Sequence, residues 1–157
     1  MGRKKKFKVS LGDLFTIPVS QELMCVGQVA LKGCTSDVYI IFDYIYKQGD
    51  SISKFSNHPI LLMVNTVNIK LEDGEWEIIG NAELPKTLTL PNYLTETIGG
   101  YAVMDSGGRI IRKATETDIK NLSTLKSVAP IIVEDAVQAK FGKAEWYPYL
   151  NNLLYRR

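Results

Sequence analysis

The stretch LGDLFTIPVSQELMCVGQVALKG, residues 11–33, has the pattern of a strand, a turn and a second strand, and it decides the fold. Leu14 to Val19 is an apolar run of residues that favour strands, residues 20–22 are polar, and a second apolar run extends over residues 23–31. Gly27 lies inside the second run, where a glycine often marks a bend. The stretch contains no pair of groups that could perform catalysis, so we expect a hairpin that serves as scaffold.

Two runs further along the chain are apolar on both faces, a pattern typical of central strands whose faces are both covered. PILLMVN, residues 59–65, is one of them, and the polar, glycine-containing residues before it predict a loop. The other is DVYIIFDYIYK, residues 37–47. One face of this run carries Val38, Ile40, Phe42, Tyr44 and Tyr46, and the other carries Tyr39, Ile41, Asp43 and Ile45.

The segment NIKLEDGEWEIIG, residues 68–80, has two interpretations. Asp73-Gly74 between alternating apolar residues is a strong signal for a hairpin turn. The alternative is a short helix that ends at Gly74 and is followed by a strand, because glycine commonly ends helices. Both interpretations predict a positive φ at Gly74 and a strand over residues 75–80.

Residues 81–100 contain Pro85 and Pro91 and show little periodicity, which predicts a long loop of a kind that is often functional. YAVMDSGGRIIRKA, residues 101–114, predicts a second hairpin that turns at residues 105–108. Up to this point the predicted structure is dominated by strands.

The last third of the chain changes to helical periodicity. Thr115 is a suitable N-cap with Asp118 three residues later, Pro130 begins a helical run that Gly142 stops, and Pro148 begins a last short helix. Strands followed by helices indicate an α+β fold. We predict a mostly antiparallel, strongly curled, barrel-like β-sheet on which short, mainly C-terminal helices pack.

Length and charge divide the chain into a tail and a body. The 157 residues, 45% of them hydrophobic, predict one domain with one real core. Residues 3–8 carry five cations, and the remainder has 14 cations against 17 carboxylates, a net charge of −3. We predict a basic disordered tail over residues 1–8 and a single domain over residues 9–157. Nucleic acid is not an expected partner, because a domain that binds it usually carries cations on its folded face.

The two cysteines, Cys25 and Cys34, lack the spacing of a redox or zinc motif, and we interpret them as reduced cytosolic thiols. No apolar region follows the basic start, so the N-terminus does not resemble a secretory signal. The apolar runs near residues 38–46 and 60–64 are far shorter than the roughly 20 residues that a membrane span needs. These features predict a cytoplasmic protein without a membrane partner.

The sequence contains none of the glycine-rich phosphate motifs and no nucleophile elbow. His58, the only histidine, would need a nucleophile and an orienting partner to act as a base, and the sequence shows neither. Asp13, Asp43, Asp50 and Asp105 could meet in space, but each also fits a turn or the end of a strand. We predict no enzyme, no catalytic residue, no metal site and no cofactor.

The most unusual cluster in the sequence is acidic. Four carboxylates fall within six residues around Gly74, and one tryptophan stands between them. An exposed polar turn is the simpler interpretation. Four carboxylates on one short projection would also create a negative field, which attracts a cationic partner and raises its association rate. We predict that this segment, with the loop over residues 81–100 beside it, forms a binding surface made by Glu72, Asp73, Glu75, Trp76 and Glu77.

Six segments in this order resemble the immunity protein 26 family of bacterial polymorphic toxin systems: GDLFTIPV with VGQV, IIFDYI, PILLMVN, GEWEIIGNAELP, RKATETDIKNL, and SVAPIIVEDAVQAKFG followed by AEW. The resemblance extends from about Gly12 to Trp146, and its specificity lies in the order and spacing of the segments. It implies a small, mostly β, cytoplasmic protein that is encoded beside a toxin gene and neutralises the toxin by binding its C-terminal domain. Many toxins of this kind are nucleases with basic active sites, which an acidic surface would match.

The opening hairpin and the apolar strands are also similar to the small barrels of endoribonuclease toxins and of chromatin-type modules. An enzyme of that kind would need arginine, serine, threonine or histidine side chains around a substrate phosphate. Arg109, Arg112 and His58 are the only candidates away from the chain ends. A third hypothesis is an interaction domain that is unrelated to toxins.

Overall fold

The computed structural model describes residues 5–156, apart from the side chain of Ser53. The predicted tail lies outside these residues at positions 1–4, as does Arg157. The α+β class is confirmed, with two antiparallel sheets and few short helices. The large sheet has five strands in the order β4-β3-β2-β1-β5, which span Asp13–Pro18 (β1), Met24–Leu31 (β2), Asp37–Ile45 (β3), Ile60–Thr66 (β4) and Ile78–Asn81 (β5).

The small sheet has three strands in sequence order: Tyr93–Thr97 (β6), Gly100–Met104 (β7) and Ile110–Lys113 (β8). The hairpin predicted for residues 101–114 is therefore confirmed as β7 and β8. Three α-helices span Ile69–Glu72 (α1), Glu116–Asn121 (α2) and Pro130–Lys140 (α3), and two 3-10 helices span Ile52–Asn57 and Pro148–Leu153.

Both faces of the large sheet are buried, as the pattern of residues 37–47 predicts. The helical face is covered by α1, α3 and the C-terminal 3-10 helix, through Leu71, Val133, Ala136, Val137, Leu150 and Leu153. The loop face is covered by the first 3-10 helix and the connection after β5, through Ile52, Phe55, Ala82, Leu84, Leu88 and Leu90. β3 sends Tyr39 and Ile41 to the helical face and Val38, Ile40 and Phe42 to the loop face, so it is a central strand.

The prediction of a strongly curled, barrel-like sheet is not supported. β4 and β5 form the two ends of the large sheet and do not pair with each other, so the sheet is open. A barrel would require its two edge strands to pair, because only full closure removes both edges of a sheet. Here helices cover one face and loop segments cover the other, so the apolar surface is buried without closure.

The hairpin over residues 11–33 is confirmed, with β1 and β2 antiparallel and Phe15 opposite Gly27. A Cβ atom at Gly27 would lie 2.6 Å from Cζ of Phe15 and 2.8 Å from Cδ1 of Ile41. Gly27 therefore leaves the space in which the Phe15 ring lies against the neighbouring strand. Its role is the close approach of a side chain, in addition to the bend that the sequence suggests.

Two predictions between β4 and β7 have to be corrected. The hairpin predicted at Asp73-Gly74 is wrong. The alternative, a short helix followed by a strand, is right, since α1 ends before Gly74 and β5 starts only at Ile78. The loop predicted over residues 81–100 is too long, because β6 occupies Tyr93–Thr97. The true connection, residues 82–92, begins on the loop face, where Nε2 of the buried Gln28 donates to the Ala82 carbonyl at 2.9 Å.

The segment 122–128 joins the two sheets by their edges. Thr124 forms a parallel bridge with Leu94 of β6, and Ser127 forms a parallel bridge with Asn65 of β4. The Thr66 hydroxyl adds a hydrogen bond to the Val128 carbonyl at 2.7 Å. The helices on either side follow the predicted signals: Thr115 and Asp118 form a capping box, Pro130 opens α3, and Gly142 follows it with φ of +78°.

Candidate functional site

The acidic turn, residues 72–77, is the predicted binding segment, and it begins at the end of α1. Asp73 caps the helix, Gly74 has φ of +75°, and its N–H donates to the Leu71 carbonyl at 3.1 Å. A positive φ suits glycine and explains why the chain reverses direction here. The start of α1 is anchored as well, because the Tyr39 hydroxyl on β3 donates to the Asn68 side chain.

Trp76 is in the core, which corrects its place in the predicted binding surface. Its side chain is 1% exposed, and its ring stacks on Phe15 with centroids 5.7 Å apart and planes 3° apart. The indole Nε1–H donates to Oε1 of Glu134 on α3 at 2.8 Å. Trp76 therefore anchors the acidic turn against the helical face, and a partner cannot reach it without unfolding the turn.

The carboxylates of the acidic turn stay on the surface. Glu75 and Glu77 are exposed, and Glu72 and Asp73 are half-buried. Lys70 on α1 lies 2.5 Å from Glu75 and 3.6 Å from Glu134, and the hydrogen bond to Glu75 raises the pKa of this lysine. Lys70 pairs with Glu75 and Glu134, and the carboxylates of Glu72, Asp73 and Glu77 have no ion pair in residues 5–156. Glu134 has no local signal in the sequence, because it lies 58 positions beyond Trp76.

The basic segment before β1 contacts the acidic turn. Apart from the opposite charges of the two segments, nothing in the sequence predicts this contact. The Phe7 N–H donates to the Glu72 carbonyl at 2.9 Å. The Phe7 ring lies over Gly74, where a Cβ atom would be 2.8 Å from Cε2 of the ring. Lys5, Lys6 and Lys8 are exposed on either side of Phe7. Residues 5–8 form neither helix nor strand, but they are held at one point.

The acidic turn and the loop after β5 do not share a face of the large sheet, although they are close in sequence. Leu71 and Trp76 pack on the helical face, whereas Leu84, Leu88 and Leu90 pack on the loop face. The apolar side chains of this loop are used to cover the core. The surface around the acidic turn is instead completed by α3 and by residues 5–8.

The other candidates for chemistry have local structural partners. The His58 ring stacks on Tyr44 with centroids 4.0 Å apart, and the Tyr44 hydroxyl donates to Asp50 at 2.6 Å, which lowers the pKa of Asp50. Asp13 accepts from the Ser10 N–H at 2.8 Å. Asp105 accepts from two backbone N–H groups of the β7–β8 turn, at 3.0 and 2.9 Å, and Asp43 is an exposed residue of β3.

Two cavities adjoin the outer edge of β4. One, of about 430 Å³, lies where the segment 122–128 and the C-terminal 3-10 helix meet β4 and β6, and includes Lys126 and Arg156. The other, of about 540 Å³, includes His58, Thr87 and Tyr155. In residues 5–156 no three His, Cys, Asp or Glu side chains are grouped to hold a metal ion.

The two thiols differ in exposure. Both cysteines are free, Cys25 inside the core and Cys34 on the surface. Burial raises the pKa of Cys25 to about 12. The buried thiol is therefore neutral and unreactive at ordinary pH.

Comparison of the chain with models of protein families, with curated proteins and with solved structures finds no match. The resemblance to the immunity protein 26 family therefore stays a prediction from the sequence. Across residues 5–156, no helix combines the length and the apolar character needed to cross a membrane.

Proposed function

We propose that this protein is an immunity protein that binds and neutralises a cognate bacterial toxin, and that a cationic surface of the toxin docks on the acidic turn. The sequence resemblance from Gly12 to Trp146 supports the class of function. The observation that carries the proposal is the acidic turn itself, which displays Glu72, Asp73, Glu75 and Glu77 at the surface of a fixed scaffold.

The acidic turn is rigid in the way that a binding surface requires. Gly74 fixes the reversal, Trp76 locks the turn into the core, and Tyr39 holds the start of α1 through Asn68. A partner therefore meets carboxylates that are already in place, and little conformational entropy is lost on binding. The negative field raises the association rate of a cationic protein, and this effect weakens as salt screens it.

The test compares two variants with the same net charge. One carries Glu72→Gln, Asp73→Asn, Glu75→Gln and Glu77→Gln, and the control carries the Glu→Gln change at Glu22, Glu83, Glu96 and Glu145, which are all exposed. The partner is the C-terminal domain of the toxin encoded by the neighbouring gene. We expect the first variant to associate with this domain about tenfold more slowly at low salt, and the difference to vanish near 0.5 M salt.

Circular dichroism of both variants establishes that they fold before association is measured. Equal association rates for the two variants and the wild type at low salt would contradict the role of the acidic turn. Failure of the wild type to bind the toxin domain at all would contradict the immunity function. Cleavage of RNA or DNA by the purified protein would favour the nuclease-like alternative instead.

A further inference from the structure

β8 is an open edge of the small sheet. It pairs with β7, and no other segment of residues 5–156 pairs with its second side. The Ala114 N–H donates to the Tyr101 carbonyl at 2.9 Å, which continues the ladder between the two strands. Along an antiparallel ladder, residue pairs that exchange two backbone hydrogen bonds alternate with pairs that exchange none. Ala114 and Tyr101 form a hydrogen-bonded pair, so the next pair, Lys113 and Ala102, exchanges none. The Lys113 N–H therefore points away from β7.

Other segments of the chain lie along the free edges of β4 and β6. The segment 122–128 lies against both β4 and β6, and the C-terminal residues Leu154 and Tyr155 bond to β4 through Leu62 and Leu61. At the other end of the large sheet, the first 3-10 helix packs on the loop face of β5, with Ile52 against Gly80. β8 differs from these strands because all four of its residues are exposed.

Exposed isoleucines stand beside cations along β8. Ile110 and Ile111 on β8 are 55% and 51% exposed, and α2, which follows β8, buries none of its residues. The exposed large hydrophobic side chains of the small sheet and α2 are Ile98, Tyr101, Ile110, Ile111 and Ile119. Of these, Ile110 and Ile111 lie on β8 itself, where a partner strand would contact them.

We propose that β8 accepts an extended segment of a partner protein as a fourth strand of the small sheet, and that this segment alternates apolar and acidic residues. Main-chain hydrogen bonds along an open edge provide affinity, and the side chains of alternate residues provide specificity. The isoleucines of β8 offer apolar contact, and Arg109 and Lys113 at its two ends are exposed cations without an ion pair in residues 5–156. The charge of the edge thus selects carboxylates on the incoming strand.

Charge restricts the ways in which a second copy of the chain could pair with β8. If two β8 strands paired antiparallel about Ile111, Arg109 of one copy would stand opposite Lys113 of the other. Pairing about the midpoint of Ile110 and Ile111 would place Arg109 opposite Arg112. Like charges directly opposite each other destabilise these two registers. Pairing about Ile110 would set the two Ile110 side chains opposite each other and no cation opposite a cation, so dimerisation through β8 is the competing outcome that the test has to separate.

The test uses blocked eight-residue peptides and the full-length protein labelled with 15N. The probe alternates glutamate and valine, and the comparison peptides replace glutamate with glutamine or with lysine. We expect the glutamate peptide to shift the amide signals of β8 and to slow hydrogen exchange at Lys113. The glutamine peptide should bind several-fold more weakly, and the lysine peptide should not bind.

The variant Arg109→Glu with Lys113→Glu should bind the glutamate peptide about tenfold more weakly and gain binding of the lysine peptide. Its control, Lys86→Glu with Lys143→Glu, has the same net charge, and both of its changed residues are exposed. Equal affinity of the two variants would overturn the proposal, as would signal shifts confined to the acidic turn or concentration-dependent dimerisation through β8. None of these measurements involves the toxin, so they separate this inference from the proposed function.

Discussion

Gly27 shows how one residue without a side chain determines the packing of three strands. It lies in β2 between Phe15 on β1 and Ile41 on β3, and its missing Cβ is the space that their side chains occupy. Phe15 in turn supports the stack with Trp76 under the acidic turn. A substitution at Gly27 that displaces Phe15 would therefore also displace Trp76 beneath the acidic turn.

We predict that Gly27→Ala lowers the free energy of unfolding by about 1–3 kcal/mol, because the added methyl group overpacks the core against Phe15 and Ile41. Urea unfolding monitored by tryptophan fluorescence measures the change, and Trp76 makes the signal sensitive to this region. The matched control is Gly99→Ala in the β6–β7 turn, where the nearest atom, Oγ1 of Thr97, lies at 4.0 Å. Equal loss of stability in the two variants would contradict the role assigned to Gly27.

Trp76 shows where residue-level prediction from the sequence ends. Its position among four acidic residues predicts exposure, and a hairpin would have placed it on a projection. The structure buries it because α1 takes the place of the first hairpin strand and changes the direction in which the following residues point. The short helix and the hairpin have nearly the same local signals, and tertiary packing of Leu71 and Trp76 decides between them.

At the scale of elements, α2 is held by polar contacts alone, since none of its residues is buried. Asp118 accepts from Thr115 within the capping box and pairs with Arg112 of β8 through both carboxylate oxygens, at 2.5 and 3.0 Å. The hydrogen bond from Arg112 is the main reason that the pKa of Asp118 is well below its usual range. A lowered pKa stabilises the folded state above the pKa of the unfolded state, and this contribution is lost as the pH falls further.

We therefore predict that α2 becomes progressively less stable as the pH falls below about 4 while the rest of the fold persists, because the Asp118 carboxyl is protonated in the unfolded helix at a higher pH than in the folded one. Amide hydrogen exchange of Leu122, whose N–H donates to the Asp118 carbonyl at 2.8 Å, measures the opening. In Asp118→Asn the same amide should exchange quickly already at neutral pH. Glu116→Gln, a change in the same turn of the helix, serves as the control and should leave the exchange of Leu122 nearly unchanged.

Most elements could be predicted because their signals are local. An apolar pattern on both faces identifies β3, the polar interruption separates β1 from β2, and Pro130 and Gly142 mark the two ends of α3. β6 was missed, since its alternation is weak and its outer edge is completed by Thr124, thirty residues later. When a strand is stabilised by so distant a partner, its own residues show only a weak strand signal.

At the scale of the whole molecule, the segment 122–128 ties the small sheet to the large one. It contacts β6 at Leu94, with a hydrogen bond from the Leu94 N–H to the Ser123 carbonyl at 2.8 Å, and it contacts β4 at Asn65 and Thr66. Residue Thr66 is fully buried, so its hydroxyl bond to the Val128 carbonyl is protected from water. The position of β8 relative to the core depends on this connection.

We predict that Thr66→Val lowers the free energy of unfolding by about 1–3 kcal/mol, because it removes the hydroxyl donor and leaves the Val128 carbonyl with one partner fewer in a buried place. Hydrogen exchange at Leu94 and Val128 should quicken more than exchange within β2. Thr117→Val on the exposed surface of α2 is the matched control and should change stability by less than about 0.5 kcal/mol. Unchanged exchange at Val128 would contradict the tie between the sheets.

The overall arrangement was only partly predictable. The order of strands and helices along the chain gives the α+β class, but barrel closure depends on what covers the edges and faces of the sheet. The cover comes from the connection after β5, from α3 and from the C-terminal 3-10 helix, whose docking positions follow from shape rather than from local pattern.

The contact of Phe7 with the acidic turn has a practical consequence for how this protein is handled. Whatever is joined to the chain ahead of Lys5 is tethered within a few residues of Glu72, at a local concentration that short flexible linkers set at about the millimolar level. A cationic purification tag in that place would act as a built-in competitor and would flatten the salt dependence of any binding measured there. Protein prepared for such measurements should carry the tag at the other terminus.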